Sequence, residues 1–194
     1  MARKRFVIDA ASIRRQARTD IGHGAVTAGY SADRVAVIEA LNESLASEIV
    51  CVLRYRRHYY MAAGIHARSV AAGFLEHANE EQSHADQIAT RIVQLGGAPD
   101  FSPYGLQARS HTDYVEGQNL VGMLEENLVA ERIAIDTYRK IIQYLGRDDP
   151  TTRRMMEGIL ASEEGHAEGL GSLLEALGKK GEPAKQPVRK GHKH

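Results

Sequence analysis

Six ionisable residues stand in this sequence where the buried face of a helix calls for apolar ones. Four segments carry apolar side chains at helical spacing. The first runs through Ile38, Leu41, Leu45, Val52 and Tyr55, the second through Val70, Phe74, Ala78, Ala85, Ile88, Ile92 and Leu95. The third runs through Leu120, Leu124, Leu128, Ile135, Ile142 and Leu145, the fourth through Met156, Ile159, Leu160, Ala167, Leu170, Leu174 and Leu177. Glu48 interrupts the first stripe, Glu81 and His84 the second, Glu131 the third, and Glu163 with His166 the fourth. A buried, unpartnered carboxylate costs several kcal/mol. Four cannot share one core without cations or protons, and a pair of divalent metal ions meets that demand.

The spacing strengthens this reading. Glu81-x-x-His84 and Glu163-x-x-His166 place both side chains of each pair on one side of a helix. Glu48 precedes Glu81 by 33 residues, and Glu131 precedes Glu163 by 32. Tyr55 and Tyr138 each follow the first Glu of their half by seven residues, two helical turns, and so share its face. The chain is therefore an internal pseudo-repeat with a pseudo-two-fold axis through the candidate metal site.

The expected fold is all-α, an antiparallel four-helix bundle with a long crossover between its second and third helices. Ser31 is the expected N-cap of a first helix reaching Ala63, with Gly64 as its stop. The second helix is expected over about 67–95, ended by Gly96-Gly97. The third is expected over about 118–145, and the fourth over about 150–177. Short links favour antiparallel neighbours, and the 98–116 link is long enough to cross the bundle. Residues 1–30 form a basic N-terminal arm with a short helix near 10–18. Residues 31–177 form the bundle, and residues 178–194 a basic, disordered tail.

Charge separates these parts. Of 25 basic and 25 acidic residues, six basic ones lie in residues 1–20 and six in 179–194, which leaves an acidic middle between basic ends. Cys51 is the single cysteine, so an intrachain disulfide and a Cys-rich metal site are excluded. No apolar run approaches the ~20 residues of a membrane span, and no apolar stretch follows the basic start. Together these predict a cytoplasmic location with no membrane partner.

Several segments resemble bacterioferritin: Leu41-Asn42-Glu43 through Glu48-Ile49-Val50, Glu81 with His84-Ala85-Asp86, Leu95-Gly96-Gly97-Ala98-Pro99, and Ile159-Leu160 with Glu163-Glu164-Gly165-His166. The likeness spans roughly residues 31–177. One Glu from each of two helices and Glu-x-x-His from each of the other two is the ligand pattern of ferritin-like di-iron sites. The resemblance implies that Glu48 and Glu131 are terminal carboxylates, that Glu81 and Glu163 bridge two irons, and that His84 and His166 complete the two shells. It also places Tyr55 beside the site as the candidate catalytic side chain. Two departures matter. The residue after the helix-2 bridging Glu is Gln82 and not the haem-ligating Met of that family, so haem is not expected. The chain past Gly178 is a basic, Pro-containing tail in place of a fifth helix. That feature resembles the smaller 12-subunit Dps proteins, which shield DNA.

The resulting expectation is a ferroxidase holding two Fe ions per subunit, with Mn or Zn as substitutes. Its partners are Fe²⁺, O₂ or H₂O₂, and further copies of the chain in a 12- or 24-subunit shell. Non-specific DNA binding by the tails and a di-iron or di-manganese peroxidase are the alternatives. Tyr55 and Tyr138 are open between packing and a redox or hydrogen-bonding role. His77 is read as outer partner or core histidine. Glu76 and Glu80 are read as a solvated face in preference to an iron guide, and Cys51 as packing.

Overall fold

The computed structural model describes residues 6–19, 21–64 and 67–181. Among them every regular element is helical: α1 (Ala10–Gln16), α2 (Arg34–Met61), α3 (Ala67–Gln94), α4 (Leu106–Arg109), α5 (Leu120–Leu145) and α6 (Pro150–Gly181), with one 3-10 turn at Ile21–His23. None is long and apolar enough to cross a membrane. Residues 1–5 of the arm and 182–194 of the tail, with their basic side chains, lie outside the described residues.

Local chemistry fixes the helix ends. The Asp33 carboxylate accepts from the amides of Val35 and Ala36, and so caps α2. The expected cap, Ser31, instead contacts Asp148, so α2 starts two residues later than a cap at Ser31 would place it. Asn119 caps α5 by accepting from Gly122 N, after Gly117 turns the chain at φ +65°. The Asp149 carboxylate accepts from Thr152 N at the start of α6, and Pro150 fills the first helical position. At its far end α6 continues to Gly181, four residues beyond the expected Leu177, so residues 178–181 belong to the helix. The short helix of the arm is present as α1, and the crossover contains one further short helix, α4.

α2 packs mainly on α3, and α5 mainly on α6, so the bundle is two antiparallel hairpins face to face. The crossover lies along α2. The core divides into two clusters. One contains Leu41, Leu45, Ala85, Ile88, Ile92, Tyr138, Met156 and Ile159. The other contains Cys51, Tyr55, Phe74, Ala78, Leu124, Ala130 and Leu170. The six ionisable residues fall in the band between these clusters on all four helices. The apolar packing on either side determines where the polar band lies.

Arg91 closes the bundle at one end. Its guanidinium meets both oxygens of Asp149 at 2.9 and 3.1 Å and donates from Nε to Thr152 at 2.7 Å. Tyr30, at the end of the arm, donates to the same carboxylate at 2.9 Å. Arm, α3 and α6 are thereby joined at one buried point.

Candidate metal centre

Glu48, Glu81, His84, Glu131, Glu163 and His166 are all buried, none more than 7% exposed. Their donor atoms form two overlapping sets. Glu48, Glu81, His84 and Glu163 offer four atoms within 4.8 Å of one another, and so do Glu81, Glu131, Glu163 and His166. Glu81 and Glu163 belong to both. His84 Nδ1 lies 3.0 Å from Glu163, 3.4 Å from Glu81 and 3.7 Å from Glu48. His166 Nδ1 mirrors it, 3.1 Å from Glu163, 3.5 Å from Glu81 and 3.9 Å from Glu131. Each imidazole thus faces one private and two shared carboxylates.

Packed together and buried, these carboxylates and imidazoles shift one another's protonation. Burial, then the neighbouring Glu81, pushes the Glu48 carboxyl up to about 8. Burial and Glu48 together raise Glu163 to about 7. Burial alone would depress His84, but Glu163, Glu48 and Glu81 outweigh it and push it up to about 12. His166 is raised in the same way by Glu131, Glu163 and Glu81. Two buried oxygens, Glu81 Oε1 and Glu163 Oε1, accept no well-aligned hydrogen bond, although His166 Nδ1 and His84 Nδ1 lie 3.5 and 3.0 Å from them. They sit on the two shared carboxylates, where a bridging divalent cation would satisfy both. Carboxylate and imidazole donors suit iron, manganese or zinc.

Two tyrosines link the halves. Tyr55 donates to Glu131, and Tyr138 donates to Glu48. Burial, then the adjacent carboxylate, raises both phenols well above their usual range, so both stay protonated donors.

The ferritin-like domain family matches residues 38–179. The chain belongs to the ferritin-like family. A bacterioferritin from Brucella melitensis is 34% identical over 152 residues, covering 75% of this chain and 87% of the relative. A nutrient stress-induced DNA-binding protein from Synechococcus is 29% identical over 143 residues, covering 71% and 80%. A dodecameric thioferritin, the bacterioferritin-related protein of Bacteroides fragilis, superposes with a TM-score of 0.74 at 30% identity, covering 77% of this chain and 90% of that one.

Within this ferritin-like bundle, one end of the site is more elaborate than the other. His77 stacks on His166 at 4.1 Å and 18°. Its Nδ1 lies 3.1 Å from the Tyr55 hydroxyl, whose own proton is committed to Glu131. The half-exposed Glu80 carboxylate accepts from His166 Nε2. A carboxylate on the outer nitrogen of a ligating histidine fixes its tautomer and orientation. Glu80 therefore touches the candidate site while remaining half-exposed, so it is more than a solvated face. The preceding-residue position on α6, matching Glu80, is Ser162, and Ile159 matches His77. Cys51 is buried as expected, with its thiol 3.5 Å from Arg54 Nη2.

Proposed function

We propose that this chain is a ferroxidase of the ferritin-like family that binds two Fe²⁺ per subunit and oxidises them for iron storage and detoxification. The overlap of two four-atom donor sets on Glu81 and Glu163 carries the reading. Glu81 and Glu163 would bridge, Glu48 and Glu131 would each hold one ion, and His84 and His166 would complete the shells. Two ferrous ions supply two electrons to one dioxygen, which takes up two protons and leaves as hydrogen peroxide. The bridging carboxylates hold the two donors of electrons close enough to react as a pair. Tyr55 and Tyr138 keep Glu131 and Glu48 aimed inward by hydrogen bonding, and Glu80 orients His166. The dodecameric Bacteroides fragilis neighbour supports a homo-oligomer, and the proposed assembly is a cage-like shell of 12 subunits on that precedent or of 24. The cytoplasm is the compartment we assign.

Anaerobic titration with Fe²⁺ followed by oxygen tests this reading. The wild type is expected to bind two ions per chain and to oxidise both. Equal oxidation rates in wild type and a Glu48→Ala, Glu131→Ala double variant would overturn it.

A second reading, protection of DNA, is favoured by the basic residues at both ends and by the Synechococcus relative. Such binding would be independent of sequence and weakened by salt. A gel shift with the full chain and with residues 182–194 deleted, at two salt concentrations, decides it.

A further inference from the structure

The N-terminal arm carries an apolar surface that its own subunit leaves bare. Its root is built into the bundle. Val26, Tyr30 and Ala32 pack against the core cluster that contains Leu41 and Ile92, and Tyr30 donates to Asp149. Its outer part is different. Phe6, Val7, Ile8, Ile13 and Ile21 are each 55–85% exposed, and the seven-residue α1 buries none of its side chains. Single exposed apolar side chains are ordinary, but five on one short segment form a patch of the kind that marks an interaction surface. The patch has shape as well as apolarity. α1 and residues 21–29 face each other across a cleft of about 380 Å³, with Ile13, Ala17, Ile21 and Val26 among its walls. Such a cleft can receive side chains from outside the subunit.

Charge selects what covers it. Arg14 and Arg15 stand in the last turn of α1, and Arg18 follows the helix. Nucleic acid would meet these guanidiniums with phosphate but leave the apolar side chains in water. The C-terminal segment 182–194 is itself basic and repels the arm. The body of the chain fits both properties. Residues 21–178 hold 22 acidic and 13 basic side chains, an acidic excess that survives when the four carboxylates of the candidate centre are set aside. At the end where the arm is rooted, the bundle also exposes Val35, Val93, Phe101 and Tyr104. In a closed ring every copy gives and receives the same contact. Around an axis near that end, the arm of one copy meets the apolar end of the next. We propose that the arm is a strap between copies, with α1, residues 6–8 and Ile21 lying on the bundle of a second copy of this chain. The inference rests on the homo-oligomer of the proposed function and adds the segment that joins its copies.

Two measurements on the full chain test it. Hydrogen exchange on the assembled wild type needs no variant. A helix as short as α1, alone in water, is barely stable, so its amides exchange as an open chain unless something covers them. In the assembly they should be slowed at least tenfold. Sedimentation at falling protein concentration is the second measurement. Ile13→Asp with Ile21→Asp alters only exposed side chains of the subunit. It should raise the concentration at which the assembly half-dissociates by roughly tenfold or more, as the loss of a buried isoleucine does. Circular dichroism of that variant should match the wild type. Should it misfold, Arg14→Glu with Arg15→Glu sets the arm's charge against the acidic body and carries the same measurement. Open-chain exchange of α1 in the assembled wild type overturns the inference, and so does a variant that assembles like the wild type. Loss of duplex-DNA retention with assembly intact would give the arm to nucleic acid and overturn it as well. A wild type that sediments as a single chain marks a different failure, that of the homo-oligomer reading itself, and the inference falls with it.

Discussion

Tyr138 of α5 donates its hydroxyl hydrogen bond to Glu48 of α2, a carboxylate from the opposite half of the chain. Tyr55 of α2 returns the arrangement by donating to Glu131 of α5. Each half thus orients the private carboxylate of the other. Loss of such an outer partner lowers metal affinity by roughly 10–100-fold. We expect Tyr138→Phe to weaken Co²⁺ binding by about tenfold, at the lower end of that range. Tyr55→Phe should cost more, because it also strands His77 Nδ1, which lies 3.1 Å from the same hydroxyl. Isothermal titration with Co²⁺ checks the order; a wild-type affinity in both variants would reduce the two tyrosines to packing.

The four-helix architecture and the six buried ionisable residues were legible in the sequence because they break an otherwise regular apolar stripe. A charge at a core position is visible in one dimension. What the stripe does not show is reach across helices. Glu80 lies one residue from Glu81, on the flank of α3, and only the position of α6 brings His166 Nε2 against it. The signal was available in principle, since a ligating imidazole needs a partner for its outer nitrogen, but several carboxylates could have supplied it. The crossover contacts were equally hidden. Nothing local marks His111 as the residue that meets Ser47, or Arg54 as a fully buried cation fastened to Asn127, Thr112 and the Asp113 carbonyl. The α2 start was misplaced because Ser31 and Asp33 are both good caps, and only the observed hydrogen bonds choose between them.

The shared carboxylate Glu163 separates the needs of the apo protein from those of the metal. In the apo state its charge is repelled by Glu48, and burial penalises it further. Glu163→Gln removes that charge while keeping the shape. The apo variant should be at least as stable as the apo wild type. Added Co²⁺ should raise the wild-type unfolding midpoint, by the equivalent of about 4 kcal/mol at a thousandfold excess over Kd, and should leave the variant unmoved. Differential scanning calorimetry with and without Co²⁺ reads both effects; equal metal stabilisation of the two proteins would mean that Glu163 is not a ligand.

Gly97 follows the end of α3, its amide donating to the Ile92 carbonyl, and lies against Ile38 of α2. A Cβ there would stand 2.9 Å from Ile38 Cγ2 and 3.1 Å from both Ile38 Cδ1 and Ile92 Cγ2. Crowding two branched side chains in a packed core costs about 1–3 kcal/mol. Gly97→Ala should therefore destabilise the protein within that range, and Ile38→Ala in the same chain should recover part of the loss. Additive losses in the double variant, seen by thermal unfolding, would rule out the clash as the cause.

Asp149 makes the bundle sensitive to acid at the end away from the candidate metal centre. Burial alone would raise its carboxyl. The Thr152 hydroxyl and amide, Tyr30 and Arg91 more than offset that, and hold it below the ordinary 3.8. The unfolded chain therefore takes up this proton more readily than the folded one. The stabilisation is complete above the unfolded value and is lost as pH falls through the lower folded value. Asp149→Asn keeps the helix cap but leaves Arg91 without its counter-charge. At neutral pH it should cost about 3 kcal/mol, the usual penalty for breaking a buried ion pair by removing one member. The gap between wild type and variant should stay constant from about pH 7 to pH 5 and narrow below about pH 4 as the wild-type carboxylate takes up its proton. Thermal unfolding of both proteins across that range provides the check, and a gap that remains unchanged down to pH 3 would show that the carboxylate's charge is not what stabilises this junction.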